Sequence, residues 1–434
     1  MSPIIAGILG IAAFLFLALL GLPLAFSFAT VGFLGIILVK GLVPALTVLG
    51  DAPYTWTTSY VLCAIPLFVL MGQFAFHSGI SRDLYVAAYK WMGRLPGGLA
   101  LATTLACTGF AGCTGSSVAA GATMGTIAFP EMQRFNYDRR LSSGCIAAGG
   151  TLGILIPPST IFIIYGVMTY TSIGELFIAG IFPGLMLSAL FLGLIYVMCK
   201  RNPKLGPAGE PFPWKERFAS LTGVWGMIAL FLLVIGGLYI GIFAPSEAGA
   251  IGAIGAFIIA LTRRRLTKSV FFTALRETAE ITCFSLFVLV GAMIFSTFLT
   301  LTGLPGVLAA WITSFDVPPF IILIFILIMY IPLGCVIDCL PMILLTMPII
   351  FPIVTSLGFD PVWFGVLIVV VGELSLITPP VGINVYVVQG VTKVPLEDVF
   401  RGILPFIIVF VIGIAILVAF PQISLFLPGM MRVT

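Results

Sequence analysis

Apolar runs long enough to cross a bilayer recur along almost the whole chain, and nothing else in the sequence narrows the possible folds as much. A helix needs about 20 apolar residues to cross about 30 Å of hydrocarbon. Of the 434 residues, 60% are hydrophobic and only 8% are charged, which is outside the composition of a water-soluble domain. The chain reads as an all-α polytopic integral membrane protein, because helices satisfy their own backbone groups in lipid. A net charge of +4, thinly spread, excludes a nucleic-acid-binding surface. The eight cysteines form no CxxC pair and lie in apolar surroundings, so neither a disulfide framework nor a zinc site follows. The single histidine, His77, ends an apolar run and reads as an interfacial side chain, not a ligand of a haem or metal. With no phosphate loop, no HExxH and no nucleophile paired with a usable base, an enzyme is not expected.

Spans are expected near 3–20, 24–39, 60–77, 141–170, 175–199, 222–242, 246–262, 282–302, 361–392 and 401–420, which makes about ten transmembrane segments. The first is read as a retained span and not as a signal peptide, since it has no charged leader region and no small-residue cleavage site. Two apolar stretches remain, 98–130 and 318–356. Arg82, Lys90 and Arg94 precede the first, and Arg134, Arg139 and Arg140 follow it. Lys and Arg collect on the cytoplasmic side, so both ends of that stretch face the cytoplasm and it folds back as a re-entrant hairpin. The clusters at Lys200–Arg217 and Arg263–Lys268 return to the same face. From Glu277 to Thr392 there is no Lys or Arg, so the second hairpin opens to the periplasm. Both termini then fall on the periplasmic side, with Lys40 and Arg432 as minor exceptions to the charge bias.

Two hairpins of opposite sense imply an inverted repeat, and a constant offset of 222 residues supports one. It maps Phe129-Pro130 onto Phe351-Pro352, Gly150 onto Gly372, Pro157-Pro158 onto Pro379-Pro380, Glu175 onto Glu397, Gly180 onto Gly402 and Pro183 onto Pro405. In each half, glycine and proline break the helices at matching places: the tips Gly112–Ser117 and Gly334–Pro341, and the breaks Gly149–Pro158 and Gly372–Pro380. Unwound backbone at membrane depth is tolerated where it is buried in protein or lines a wet cavity. Its carbonyls, with nearby hydroxyls, suit a hard cation such as sodium, while half-helix N-termini attract an anion. Asp338 and Glu373, the acidic residues expected inside the membrane in the second half, read as coupling or helix-fixing groups. Glu247, in Ala244-Pro245-Ser246-Glu247-Ala248, reads as a helix-fixing acid in a first turn capped by Ser246.

These segments resemble the large membrane (M, or DctM-like) subunit of the tripartite ATP-independent periplasmic (TRAP) transporters. The likeness rests on Gly115-Ser116-Ser117-Val118-Ala119, Gly153-Ile154-Leu155-Ile156-Pro157-Pro158-Ser159, the Ala244–Ala248 segment, Asp338, Thr346-Met347-Pro348-Ile349 and Leu376-Ile377-Thr378-Pro379-Pro380-Val381-Gly382. Cys335 and Cys339, beside Asp338, depart from the pattern. The resemblance implies an elevator-type, sodium-coupled importer of an organic acid anion such as a C4-dicarboxylate or sialic acid. It implies no cofactor beyond Na+ as coupling ion. It places the chain in the bacterial inner membrane with two partners, a small four-helix membrane subunit (Q) and a soluble periplasmic substrate-binding protein (P).

Carried over, the first sodium site comprises Gly115, Ser116, Ser117, Thr151, Leu152 and Gly153, and the second comprises Asp338, Cys339, Gly372, Thr378 and Pro379. The solute is expected near Ser117, Pro157, Pro158, Thr378 and Pro380. The organisation that follows is N-terminal scaffold helices (1–59), a first repeat (60–199), a linker with scaffold helices (200–281), a second repeat (282–420) and a tail (421–434). The longest loops are expected at 40–59 and 200–221, each too short to fold as a solute-binding domain. The binding protein is expected to dock around Asp316 to Phe320 and Ser356 to Pro361, and the small subunit to cover the first two spans and the 222–262 pair. The alternative is a stand-alone sodium-coupled di- or tricarboxylate carrier that takes free solute.

Overall fold

The computed structural model describes residues 2–209, 211–314 and 317–431, apart from the side chains of 111–114; Asp316 and Arg432, invoked above, lie outside the described residues. All regular structure among the described residues is helical. Helices stand at each of the ten expected spans and at both hairpins. They include Pro3–Leu19, Leu24–Lys40, Ala64–His77, Ile173–Arg201, Trp225–Ile240, Pro245–Thr262, Lys268–Thr302 and Leu396–Ala419. The hairpins are Gly98–Thr114 with Ser117–Arg134, and Pro319–Val336 with Cys339–Ser356. The broken spans are Arg139–Leu155 with Thr160–Thr169, bent by 43°, and Pro361–Ser375 with Ile383–Thr392. This is a polytopic membrane fold.

Several boundaries differ from expectation for identifiable reasons. Residues 40–59 are not a loop: Leu42–Thr57 is helical. Its polar groups are satisfied internally, Thr55 donating to Asp51 at 3.1 Å and Thr57 to the Pro53 carbonyl at 2.5 Å, so a stretch of modest hydropathy still helicates. The final span starts at Leu396 because Glu397 and Asp398 sit favourably in its first turn, and Arg401 bonds back to Glu397 at 2.6 Å. The 282–302 span is the end of a 35-residue helix that begins at Lys268. Within 200–221, Trp214–Leu221 is a helix that packs on Ile80–Met92. Trp91 meets Phe218 edge-on at 5.6 Å and donates its indole N–H to the Arg217 carbonyl at 3.2 Å. The tail contains a helix, Gln422–Gly429, lying on Ile173–Arg201. Ser246 does not cap its helix. Ala244 is the cap residue, and its N–H donates to the Glu247 carboxylate at 2.9 Å, so Glu247 alone fixes that start.

The repeat is visible residue by residue in the backbone. Displaced by 222, the second hairpin helix Ser117–Arg134 becomes Cys339–Ser356, with both ends in register. The caps match as well, Ser116 in one half and Asp338 in the other. Asn136 and Gly358, one offset apart, both turn the chain with positive φ, at 57° and 80°. Asp138 and Asp360 follow, and each accepts two backbone N–H groups, at 2.9 and 3.0 Å in the first half and 2.8 and 3.0 Å in the second. Both Pro-Pro bonds are cis.

Close packing joins the elements. Gly144 and Gly402 bring the first broken span and the final span together backbone to backbone, an approach that only a missing side chain permits. In the scaffold, Gly32 faces the backbone of Phe295, and a Cβ there would stand 2.7 Å from the Phe295 nitrogen. Phe14 stacks on Phe28 at 4.1 Å between ring centroids, and both rings lean on Phe295. Such pairs contribute about 0.5–1.5 kcal/mol beyond their buried area.

Candidate functional site

The two hairpin tips converge at one place in the fold. Gly115, at φ +56°, turns the first tip, and the Ser116 hydroxyl accepts the Ala119 N–H at 3.3 Å to start the next helix. Asp338 does the same at the second tip, accepting the Cys339 N–H at 2.8 Å. Each N-cap holds an oxygen at the mouth of a helix whose dipole favours negative charge.

Each tip packs against the break of its own repeat. A Cβ at Gly150 would meet the Ser117 carbonyl at 3.0 Å, and one at Gly153 would meet the Ser116 carbonyl at 2.9 Å. In the second half Gly372 lies against the Cys339 thiol at an equivalent place, a Cβ standing 2.5 Å from its sulfur. The tips are therefore seated directly on glycine-lined backbone. A cavity of about 490 Å³ opens beside them, within the size range of small-molecule sites. Gly115, Ser116, Ser117, Asp338 and Leu340 line it on one side, and Gln73, Phe76, Glu277, Phe284 and Ser285 on the other. At its margin Glu277 bonds His77 at 3.2 Å, so His77 has a specific partner. A larger pocket, about 780 Å³, lies between the turn at Tyr170 and the Ala244-Pro245 helix start, and neither tip nor either break reaches it.

Of the residues singled out from the sequence, Gly115, Ser116, Ser117 and Asp338 share the cavity wall. Thr151, Leu152, Gly153, Cys339 and Gly372 are buried behind the tips. The Thr151 hydroxyl donates to the Ala148 carbonyl at 2.6 Å, and Thr378 to that of Leu374 at 2.7 Å. The Cys335 thiol stands 3.5 Å from the carbonyls of both Thr378 and Pro379. The two Pro-Pro pairs are not alike: Pro157 and Pro158 are buried, whereas Pro379 and Pro380 are exposed. None of the four lines the cavity between the tips.

Glu373 is fully buried, and among the described residues neither carboxylate oxygen makes a hydrogen bond of ordinary geometry. Ser117, from the other repeat, turns its hydroxyl toward this carboxyl, and Asp338 lies within electrostatic reach.

Sequence reasoning passed over several polar residues here. Gln73 is a lone amide in an apolar run and Ser285 is one of several hydroxyl residues in its helix, so neither stands out in the sequence. Asn384, whose side-chain amide is buried without a partner, sits one residue inside the helix that resumes after the second break. Together the tips offer hydroxyl, carboxylate and carbonyl oxygens, a donor set for a hard cation, next to a cavity for a small solute.

Residues 11–423 match the family described as "Tripartite ATP-independent periplasmic transporter, DctM component". Among similar proteins, the "C4-dicarboxylate TRAP transporter large permease protein DctM" of Pseudomonas aeruginosa is 37% identical over 401 residues, covering 90% of this chain and 93% of that protein. The "Isethionate TRAP transporter permease protein DctMQ" of Oleidesulfovibrio alaskensis is 32% identical, covering 94% of this chain and 64% of that one. In fold the chain is similar to the Alcanivorax borkumensis YdaH transporter, with a TM-score of 0.64 at 16% identity, covering 94% of this chain and 97% of the other. On the family match and these relatives, the chain belongs to the DctM family: it is a membrane-spanning component of a tripartite ATP-independent periplasmic transporter, and not an enzyme.

Proposed function

We propose that this chain is the transport subunit of a sodium-coupled importer of an organic acid anion. The observation that carries the reading is the convergence of Ser116, Ser117 and Asp338, from two oppositely inserted tips, on a single cavity. Sodium binds the oxygen cages that the tips and breaks form, at Gly115–Ser117 with Thr151–Gly153 and at Asp338–Cys339 with Gly372, Thr378 and Pro379. The anion occupies the space between the tips, drawn by the helix N-termini at Ser117 and Cys339. A carboxylate solute is favoured by the C4-dicarboxylate named for the P. aeruginosa relative. The two repeats with their tips move as a unit against the scaffold in an elevator motion, and the asymmetry between the buried and the exposed Pro-Pro pairs accords with one end of that travel.

The chain sits in the bacterial inner membrane with both termini periplasmic, as the basic loops suggest. Two partners complete the system, a small four-helix membrane subunit and a soluble periplasmic binding protein. The DctMQ relative supports the first, since this chain spans only 64% of a protein whose name joins M with Q. Reconstitution in liposomes tests the assembly. The single chain with a sodium gradient and free C4-dicarboxylate is expected to transport little, and adding the small subunit and loaded binding protein to restore uptake. Robust uptake by the single chain, or full uptake in sodium-free buffer under a proton gradient, overturns the proposal.

A further inference from the structure

Arg263, Arg264 and Arg265 follow the helix Pro245–Thr262, on the face that the charge bias assigns to the cytoplasm, and they are not employed alike. Arg263 is committed to the protein: it pairs with Asp83 at 2.5 Å and donates to the Gly223 carbonyl. Arg265 instead borders a cavity of about 540 Å³, whose wall also includes Asp83, Gly223, Trp225, Ile258 and Arg263. None of these residues belongs to the cavity at the hairpin tips. Among the described residues no carboxylate pairs with Arg265, and Asp83, the one acid in the wall, is already neutralised by Arg263. The Arg265 guanidinium lies against Gly79, where a Cβ would stand 3.3 Å from Nη1. Gly79 is the N-cap of Ile80–Met92, so this cation adds to the positive end of a helix dipole.

The rest of the wall suits an amphiphile. Trp225 is exposed and its indole N–H bonds no described group, a donor of the kind that settles at headgroup depth. Ile258 is exposed at the cavity edge, and Ile254, one turn farther toward the bilayer centre, is exposed on the same face of the helix. Positive and donating groups at the membrane surface thus give way to an apolar track below them. We infer that this cavity binds the headgroup of an anionic phospholipid of the cytoplasmic leaflet. The Arg265 guanidinium and the Trp225 indole N–H hold its phosphate, and one acyl chain lies along Ile258 and Ile254. A lipid seated there joins the starts of Ile80–Met92 and Trp225–Ile240 to the end of Pro245–Thr262, and so stabilises one corner of the scaffold. Such a site owes nothing to the ion or solute that the tips accept.

Thermal unfolding of the purified full chain in a neutral detergent, titrated with dioctanoyl phosphatidylglycerol, tests the inference without transport. The lipid is expected to raise the wild-type midpoint saturably. Dioctanoyl phosphatidylcholine, with the same chains and no net charge, should need about fivefold more to reach half-saturation. Arg265→Gln is expected to raise the half-saturating phosphatidylglycerol at least about tenfold, as loss of a charged hydrogen-bond donor does. Trp225→Phe should raise it about threefold, as loss of a neutral donor does, and serves should Arg265→Gln fail to fold. Lys204→Gln, which removes an exposed cation elsewhere on the same face, should leave it unchanged. A wild type indifferent to the lipid overturns the inference, as does a wild-type response in Arg265→Gln, or in Trp225→Phe if only that variant folds. Equal weakening by Lys204→Gln overturns it too, by reducing the effect to general surface charge. A full shift with inorganic phosphate alone gives the cavity to a free anion, and a response abolished by the bound small subunit gives it to a protein contact; either result overturns the lipid assignment.

Discussion

Replacing Gly153 by alanine tests whether the first tip is held by backbone contact alone. The added methyl would lie 2.9 Å from the Ser116 carbonyl oxygen and 3.2 Å from the Ala120 side chain, where an ordinary contact begins at 3.4 Å. The shortfall of about 0.5 Å cannot be relieved by a side-chain rotation, since the nearest atom is backbone, so the tip itself must shift. Alanine in a helix gains about 1 kcal/mol over glycine, and overpacking a filled interior costs about 1–3 kcal/mol. The net effect on stability is between neutral and about 2 kcal/mol unfavourable. Ion and solute binding respond more strongly, because a displacement of this size is comparable to the tolerance of a preorganised site, about 0.5 Å. The assay pairs thermal unfolding with the sodium dependence of uptake, using Gly193→Ala as control, a helical glycine with nothing within 4 Å of its Cβ. Gly193→Ala is expected to be neutral or slightly stabilising with normal uptake. If Gly153→Ala matches it in both measurements, the tip is not seated on the break as described.

Two further outcomes follow from geometry away from the tips. Arg134 and Ser356 are equivalent ends of the two hairpins, so cysteines placed there should react with an impermeant thiol reagent from opposite faces of the membrane; equal accessibility from one side contradicts the inverted arrangement. Arg263 bonds Asp83 at 2.5 Å and also donates to the Gly223 carbonyl, tying three segments together at one helix end, so Arg263→Ala should lower stability by about 1–2 kcal/mol, read as a fall in the unfolding midpoint, while Arg264→Ala, with an exposed side chain, should not.

The spans and hairpins were legible in the sequence because lipid imposes a length and an apolar composition on each, and the breaks were legible because glycine and proline mark them. Leu42–Thr57 was not legible: its polarity is cancelled by hydroxyls bonding within the helix, and hydropathy cannot register that cancellation. The positions of Ser116, Ser117 and Asp338 at one cavity followed from the repeat. The opposite wall did not, because Gln73, Glu277 and Ser285 come from helices outside the two tips and reach the site only through tertiary packing. Likewise the burial of Pro157 and Pro158 beside the exposure of Pro379 and Pro380 depends on what packs against each half, which no pattern within the repeats encodes.

The matched caps and turns give this molecule an internal control that few chains possess. In the inverted arrangement proposed above, each corresponding residue confronts a different compartment, a different leaflet and different neighbours. Whatever coincides across the offset despite this, such as the doubly accepting Asp138 and Asp360 or the left-handed turns at Asn136 and Gly358, answers to mechanical demands that both copies share. Whatever diverges, as serine against aspartate at 116 and 338, records a division of labour between them. Grafting the first half's residues onto the second, one position at a time, would then separate the parts that shape the machine from the parts that decide what it carries.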